Sequence, residues 1–163
     1  FAWDGSQPAN GMTRARHAGD EPHGLVLDWT VDEERHYELA LPAALRDFSA
    51  HATLAMRACQ GTRHPETVAL SGPLSFTVTL RDEDGATSSL PLASLAPIPA
   101  PYQRGGFGPG AGWQNEIVHV AVPLDGFSFP GVDLQRIAAL RFDFGAAYGS
   151  ERGRLCLDDI ELR

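Results

Sequence analysis

Apolar side chains recur at every second position through most of this sequence. Strict alternation of apolar and polar residues over four to eight positions is typical of a half-buried β-strand. Eight strands are predicted on this pattern, over residues 25–29, 36–41, 53–59, 75–81, 88–92, 117–124, 139–144 and 155–162. A ninth strand is predicted over residues 1–4, whereas helical periodicity is limited to one short segment, residues 41–48.

Turn-forming residues separate most of these predicted strands. The chain contains 17 glycines and 12 prolines, and short strands divided by such residues favour an all-β, antiparallel sandwich or barrel. One segment, residues 96–112, is rich in proline and glycine and is predicted to be a loop without secondary structure. A long loop of this kind is often functional in a compact domain.

Length and charge restrict the class of protein. The 163 residues suffice for one domain with a full hydrophobic core, so we predict a single module over residues 1–163. The 21 acidic against 13 basic side chains give a net charge of -8, which argues against nucleic acid and anionic membranes as partners.

No apolar run reaches the ~20 residues of a membrane-spanning helix, so no membrane insertion is expected. Because the sequence starts at Phe1 rather than a methionine, we expect a module excised from a larger protein.

No catalytic signature accompanies the strand pattern. The GGFGPGAG segment lacks the Lys-Ser/Thr pair and the helix of a phosphate-binding loop, and the six histidines lack the spacing of metal ligands. Asp158 and Asp159 are adjacent and are expected to point to opposite faces of a strand, unlike the converging carboxylates of a glycosidase. A non-enzyme is therefore expected. Outward carboxylates on neighbouring strands leave a jelly-roll glycoside hydrolase or lyase as a less favoured alternative.

Several segments, in their order and spacing, resemble one known fold family. They are GLVLDW (24–29), LPAALRDFSAHATLAMRA (41–58), FTVTLRDEDG (76–85), VAVPLDGF (120–127), DLQRIAALRFDFG (133–145) and GRLCLDDIELR (153–163). They resemble the galactose-binding-like β-jelly-roll modules, a fold shared by many carbohydrate-binding modules of secreted polysaccharide enzymes. The resemblance implies two four-stranded sheets, with the spatial orders 25–29, 155–162, 53–59, 117–124 and 36–41, 139–144, 75–81, 88–92.

The resemblance also implies a structural Ca²⁺ site that ties the first strand to the last. Calcium prefers six to eight oxygen ligands, carboxylates among them. The acidic residues that would supply these ligands are Asp4, Asp20, Glu21, Asp158 and Asp159. The alternative is that they are ordinary surface acids of an acidic protein.

Two surfaces are candidates for ligand binding. The outer face of the second implied sheet presents charged and hydroxyl groups that can meet sugar hydroxyls: His36, Glu38, Thr77, Thr79, Arg81, Arg141 and Asp143. The alternative for this face is a solvated surface with cross-strand ion pairs, such as Glu38 with Arg141. The long loop and its end supply three aromatic residues, Tyr102, Phe107 and Trp113, which either pack the loop down or form an exposed platform for a sugar ring.

The two cysteines are predicted to meet. In the jelly-roll order the last strand runs antiparallel beside the 53–59 strand, so that residues 58–60 lie opposite residues 154–156. Cys59 and Cys156 then share the outer face of that sheet. Directly opposed residues lie within disulfide reach, so we predict a Cys59–Cys156 disulfide, with two neighbouring thiols as the alternative.

The function expected from the resemblance is that of a non-catalytic carbohydrate-binding module. Such a module, secreted or at the cell surface, targets the catalytic domain of a parent enzyme to a polysaccharide or glycan. The alternative is a stabilising or protein-interaction β-sandwich domain without a sugar ligand. An ion-paired outer sheet and buried loop aromatics would favour that alternative.

Overall fold

The structure, a computed structural model, describes residues 15–17, 25–31, 34–107, 112–127 and 131–163, with residues 15–17 described by their backbone alone. The strand predicted over residues 1–4 lies outside this part of the chain. The described residues form one α-helix, α1 (Pro65–Leu70), and eleven strands: β1 (Ala15–His17), β2 (Leu25–Trp29), β3 (Arg35–Ala40), β4 (Thr53–Gln60), β5 (Thr77–Asp82), β6 (Thr87–Pro91), β7 (Tyr102–Arg104), β8 (Gly112–Gln114), β9 (Val118–Pro123), β10 (Ile137–Phe144) and β11 (Gly153–Leu162).

The strands form two antiparallel sheets and a separate hairpin. The first sheet has the order β1–β2–β11–β4–β9, the second has the order β3–β10–β5–β6, and β7 pairs with β8. Apart from the additional edge strand β1, both orders are those that the jelly-roll resemblance implies. The predicted all-β jelly-roll sandwich is therefore confirmed.

Alternate residues of the two sheets fill the space between them. Trp29 of β2 and Phe144 of β10 are fully buried, and their ring centroids lie 4.5 Å apart. The indole Nε1 of Trp29 donates a hydrogen bond to the carbonyl oxygen of Ser150 at 3.0 Å, so the buried ring keeps a partner for its polar atom. Burial of each such ring stabilises the fold by about 1.5–3 kcal/mol, and this core fixes the two sheets against each other.

The helical segments differ from the prediction. Within residues 41–48 only one 3-10 turn forms, Ala43–Leu45. The sequence pattern does not predict α1. This helix begins with Pro65, because the first residue of a helix needs no N–H donor, and it stops before Ser71, which has a φ of 54°. Among the residues described, no helix has the length and apolar character needed to cross a membrane.

The proline- and glycine-rich segment is more ordered than predicted. The β7–β8 hairpin occupies its second half, and Ile98 forms an isolated bridge with Leu74. The backbone groups of Ile98 and Leu74 exchange two hydrogen bonds of 2.8 Å, and both side chains are fully buried. The prediction of a loop without secondary structure is wrong here because these buried contacts anchor the segment to the core.

Candidate functional site

The outer face of the second sheet, called the polar sheet face below, carries seven of the predicted site residues. They are His36 and Glu38 on β3, Thr77, Thr79 and Arg81 on β5, and Arg141 and Asp143 on β10. The strand register sets Arg141 between Glu38 and Thr79, and Asp143 between His36 and Thr77. The structure therefore brings these seven residues together on one face.

The charged side chains of the polar sheet face pair with one another. Arg81 reaches across β10, where Ala139 leaves room, and its Nη2 lies 2.6 Å from Oε1 of Glu38. Arg141 pairs with Asp143 on its own strand, with 2.9 Å between Nε and Oδ1. The suggested Glu38–Arg141 pair is wrong, because each of these residues is engaged by a different partner.

Hydroxyl groups at the centre of this face are buried. Thr79 Oγ1 donates to Asp143 Oδ2 at 2.6 Å and lies 2.8 Å from Ser89 Oγ, while Thr77 Oγ1 donates to the carbonyl oxygen of Tyr148 at 2.8 Å. Thr77 is 5% exposed, Thr79 2% and Asp143 3%. The expectation that these three groups face a ligand is corrected by their burial, because their hydrogen bonds are directed into the protein.

The accessible part of the polar sheet face is correspondingly small. Its half-buried members are His36, Glu38, Arg81 and Arg141. Glu38, Arg81 and Arg141 already take part in ion pairs. A ligand at this face would have to compete with these existing bonds, and no predicted residue of the face is a phenylalanine, tyrosine or tryptophan on which a sugar could stack.

The three loop aromatics do not form one surface. In the β7–β8 hairpin Tyr102 lies opposite Gln114, and Gln103 lies opposite Trp113. Because adjacent residues of a strand point to opposite faces, Tyr102 and Trp113 lie on opposite faces of the hairpin. Tyr102 is 50% exposed, Trp113 is 46% exposed, and Phe107 in the connecting loop is fully exposed. All three are therefore accessible, but they cannot act as a single platform.

An open cleft, called the rim cleft below, lies between α1 and the β7–β8 hairpin. Its volume is about 270 Å³, and it is lined by Arg63, Thr67, Val68, Ser71, Gly72, Ala100, Pro101 and Trp113. One wall consists of α1 with its flanking residues, and the other consists of the chain that enters β7 together with the indole from β8. The cleft combines apolar surface with a few polar groups, as small-ligand sites do.

Two polar residues of the rim cleft lack partners in the described part of the chain. Arg63 is exposed, has a φ of 55°, and forms no ion pair with a described carboxylate. Thr67 is 5% exposed, and its hydroxyl oxygen has no hydrogen-bond partner among the described residues. A buried hydroxyl without a partner costs about 1–3 kcal/mol, so Thr67 lowers the stability of this wall of the cleft.

Hydrogen bonds at both ends hold α1 in place. His64 caps the helix by accepting a hydrogen bond at Nδ1 from the N–H of Glu66 at 3.3 Å, and the Glu66 carboxylate lies 3.5 Å from Arg152. At the other end the N–H of Ser71 donates to the carbonyl oxygen of Thr67 at 3.2 Å. Because so short a helix is not stable alone, these contacts keep this wall of the rim cleft in position.

One buried glutamine joins the two walls of the rim cleft. Nε2 of Gln60, at the end of β4, lies 2.9 Å from the carbonyl oxygen of Gly72 and 3.1 Å from those of Ile98 and Pro99. The backbone carbonyl oxygen of Gln60 accepts a hydrogen bond from Nδ2 of Asn115, just after β8, at 3.3 Å. The sequence analysis did not single out Gln60, although it connects every segment that borders the cleft.

An arginine engages two of the predicted calcium ligands. Arg57 Nη2 lies 2.8 Å from Asp158 Oδ2, and its Nε lies 2.9 Å from Asp159 Oδ2. The register of β11 shifts after Asp158, and Asp159 has a φ of 48°. Both carboxylates therefore turn to one guanidinium, and the prediction that they point to opposite faces is wrong at this bulge. The hydrogen bond with Asp158 and the charge of Asp159 raise the pKa of Arg57.

In this arrangement one oxygen of Asp158 and one of Asp159 face the Arg57 guanidinium, with which a cation at this point would have to compete. The other three predicted ligands, Asp4, Asp20 and Glu21, lie outside the described residues. Within the described ranges, no group of three or more His, Cys, Asp or Glu side chains could hold a metal ion. The calcium site stays a prediction.

The two cysteines lie where the sequence places them. Cys59 on β4 is directly opposite Cys156 on β11, so the predicted register is confirmed. Both are free thiols, Cys59 buried and Cys156 half-buried. The two sulfurs are hydrogen-bonded to each other rather than covalently bonded, so the arrangement observed is that of two neighbouring thiols.

No protein-family model matches the sequence, and no curated protein matches it either. Solved structures do match. A family 30 carbohydrate-binding module is 14% identical with a TM-score of 0.60, over 89% of this chain and 69% of that chain. The family 11 carbohydrate-binding module from Clostridium thermocellum, solved in complex with a β-1,3-1,4-mixed-linked tetrasaccharide, is 12% identical with a TM-score of 0.51, over 91% and 81%. An exo-β-agarase is 14% identical with a TM-score of 0.51, over 100% of this chain and 24% of that chain.

Proposed function

We propose that this module binds carbohydrate without turning it over, and that the rim cleft is its binding site. The observation that carries the proposal is the position of Trp113, a half-exposed indole on the wall of an open cleft that also contains Arg63 and Ser71. A pyranose ring has apolar C–H faces and a periphery of hydroxyl groups. The indole suits the faces, and the guanidinium and hydroxyl groups suit the periphery.

The size of the cleft indicates the kind of ligand. Its volume of about 270 Å³ is just below the roughly 300–1,000 Å³ of most small-ligand pockets. It therefore suits one end or a short stretch of a glycan better than a long chain. Because the cleft is open, the remainder of a polysaccharide can extend into solvent.

The lining of the rim cleft supports binding rather than hydrolysis. The described residues that form it include one guanidinium and two hydroxyl groups but no carboxylate. A glycosidase needs two carboxyl groups, about 5–9.5 Å apart, on either side of the bond that it cleaves. The cleft can therefore orient a sugar but does not supply the acid and base of that reaction.

The structural neighbours support the proposal at the level of the fold. Two are carbohydrate-binding modules, and one of these was solved with a bound tetrasaccharide. The match to 24% of an exo-β-agarase chain supports a further proposal about context. In this proposal the module is one part of a longer, secreted polysaccharide-degrading enzyme and brings that enzyme to its substrate.

A protein-contact role is the second candidate. Two exposed aliphatic side chains, on α1 and near the hairpin, favour it: Val68 is 63% exposed and Ile117 is 59% exposed. The ion-paired polar sheet face is also consistent with a domain that has no sugar ligand. Exposed loop aromatics, in contrast, favour the sugar-binding role.

The two hairpin aromatics provide a direct test by affinity electrophoresis. Gels would contain mixed-linked β-glucan, cellulose derivatives, agarose or starch. Trp113→Ala should weaken retention severalfold, since an aromatic contact contributes about 0.5–1.5 kcal/mol beyond the area it buries. Tyr102→Ala is the matched control, because Tyr102 is similarly exposed on the same hairpin but faces away from the cleft.

The outcomes separate the site from the function. Loss of retention in Trp113→Ala, together with normal retention of Tyr102→Ala, supports both the proposed site and the proposed function. Equal retention of Trp113→Ala and wild type contradicts the rim cleft as the site. A wild type that no polysaccharide retains contradicts the proposed function and leaves the protein-contact role.

A further inference from the structure

The two cysteines form a closely opposed pair beside the rim cleft. Cys59 faces Cys156 across β4 and β11, flanked by the pairs Ala58–Leu157 and Gln60–Leu155. Directly opposed residues of antiparallel strands have Cα separations of about 4.5–5.5 Å, within the range of natural disulfides. The two sulfurs can therefore become bonded without a change of strand register.

The surroundings of the two sulfurs are unequal. Asn115 Nδ2 donates a hydrogen bond to Cys59 Sγ at 3.1 Å, and the two sulfurs are hydrogen-bonded to each other. The hydrogen bond with Cys156 and the amide donor of Asn115 lower the pKa of Cys59, against the opposing effect of burial. The pKa of Cys156 is raised by its bond to Cys59 and by burial. Cys59 is therefore the sulfur that carries a negative charge first.

We propose that Cys59 and Cys156 are a peroxide-reactive pair, in which Cys59 is the nucleophile and Cys156 resolves its oxidised form into a disulfide. Cys59 is 7% exposed, which admits a small oxidant such as hydrogen peroxide more readily than a bulky disulfide. Low thiolate pKa, partial access and a neighbouring resolving cysteine are the general features of redox-sensing cysteines.

The reaction balances with hydrogen peroxide as the oxidant. The Cys59 thiolate attacks one peroxide oxygen, an S–O bond forms, and the O–O bond breaks. The hydroxide that leaves takes a proton from solvent and becomes water, and Cys59 is oxidised by two electrons to a sulfenic acid. The sulfur of Cys156 then attacks that of Cys59, the S–S bond forms, and the hydroxyl group leaves with the Cys156 proton as a second water.

We expect oxidation of the two cysteines to change the hairpin wall of the rim cleft, because Asn115 contacts both Cys59 and that wall. This step rests on the proposed function of the cleft. A disulfide sulfur is a weaker hydrogen-bond acceptor than a thiolate, so Asn115 loses its charge-assisted bond to Cys59. Asn115 lies two residues after Trp113 and also bonds to the backbone of Gln60. The hairpin wall of the cleft should therefore loosen on oxidation.

Mass spectrometry of the folded, reduced protein tests the chemistry. Stoichiometric hydrogen peroxide should remove two hydrogens by mass and join Cys59 to Cys156 in one peptide pair. In Cys156→Ser, dimedone should trap a sulfenic acid at Cys59, whereas in Cys59→Ser it should trap little at Cys156. Equal trapping in the two variants overturns the assignment of Cys59 as the nucleophile. A wild type that loses no hydrogen has inert thiols, and a bond that reductant opens only after denaturation is a structural disulfide; either result overturns the proposal.

Asn115→Ala tests the asymmetry independently. The midpoint of the pH profile for alkylation of Cys59 should move to higher pH, a shift that a loss of packing alone would not produce. The charged neighbours on the same sheet face, Arg57 and Arg154, keep their carboxylate partners in this variant. An unchanged midpoint contradicts the role of Asn115.

Affinity electrophoresis of reduced and oxidised protein tests the coupling. We expect severalfold weaker retention after oxidation, and no such change in Cys156→Ser treated identically. Equal retention of the two forms refutes the coupling while leaving the mass result intact. If neither the reduced nor the oxidised form is retained, the proposed function is refuted instead. A failure of the coupling can therefore be distinguished from a failure of the proposed function.

Discussion

The hydroxyl of Thr79 donates to a carboxylate oxygen of Asp143 at 2.6 Å, and both side chains are buried although they lie on the outer face of a sheet. Arg141 lies 2.9 Å from the other carboxylate oxygen. A charge removed from water requires partners of this kind, because an uncompensated buried carboxylate costs several kcal/mol. The polar sheet face is therefore held together by its own residues.

Arg141→Ala should consequently act on stability. We expect the free energy of unfolding to fall by about 2 kcal/mol, less than the 3–5 kcal/mol lost when a fully buried pair is broken, because the Arg141 side chain is 32% exposed. Arg81→Ala is the control, with an expected loss of about 1 kcal/mol or less for its more exposed pair. Urea denaturation measures both. If Arg141→Ala keeps the stability of wild type but loses polysaccharide retention, the ligand site is on the polar sheet face instead.

Gln60→Leu should weaken both the fold and the rim cleft. The substitution leaves the carbonyl oxygens of Gly72 and Pro99 without the donor described above, whereas Ile98 keeps its bond from Leu74. We expect a loss of about 2–3 kcal/mol in urea denaturation and severalfold weaker retention. Gln103→Leu, on the exposed hairpin, should change stability little. A Gln60→Leu protein that matches wild type in both measurements would show that the cleft walls do not depend on this side chain.

The response of stability to acid should depend on Asp82. Its carboxylate accepts backbone N–H bonds from Asp133 at 3.1 Å, Asp84 at 3.0 Å and Ala86 at 2.9 Å, and these bonds, that of Asp133 foremost, lower its pKa. The folded pKa thus lies below the unfolded value of about 3.9. The resulting stabilisation is complete above that value and is lost as the pH falls through the folded pKa.

Asp82→Asn should therefore be less stable than wild type at neutral pH, and the difference should shrink as the pH approaches about 3. Denaturation curves at several pH values between these limits measure it. Glu116→Gln, at an exposed acid between β8 and β9, serves as the control for general charge effects. A difference between Asp82→Asn and wild type that stays constant over this range would contradict the assignment.

Asp158→Asn distinguishes the ion pair from a calcium ligand. We expect the melting temperature to fall by a few degrees, to the same extent in calcium and in chelator, because the Asp158 carboxylate is the ion-pair partner of Arg57. Differential scanning calorimetry provides the measurement. A calcium-dependent melting temperature in wild type that disappears in Asp158→Asn would instead support the site predicted from the sequence.

Strand order could be predicted from the sequence because alternation fixes which residues share a face, and the resemblance then orders the strands. The helix α1 could not, since six residues are too few for a periodic signal and His64 is an unusual cap. Gln60 did leave a signal, because it continues the inward parity of Leu54, Met56 and Ala58, where a polar side chain requires buried partners. The turn of Asp159 toward Arg57 depends on a positive φ that alternation does not reveal.

The rim cleft illustrates a second limit. Its walls come from residues 63–72 and residues 100–113, which are far apart in sequence and meet only through the bonds of Gln60 and the Leu74–Ile98 bridge. Aromatic residues in the loop could be recognised as candidates. The β7–β8 register determines which of these residues faces the cleft. If the register were shifted by one residue, a neighbour of Trp113 would face the cleft in its place.

The sheet orders also determine when this module can fold during its synthesis. In the first sheet β11 lies between β2 and β4, and in the second sheet β10 lies between β3 and β5. These two strands follow all the others along the chain, so both sheets lack a central strand until they have left the ribosome. Pairing over such sequence distances is slow, and the waiting strands expose apolar faces to aggregation and to chaperones. Both sheets can therefore be completed only late in synthesis, after β10 and then β11 have become available.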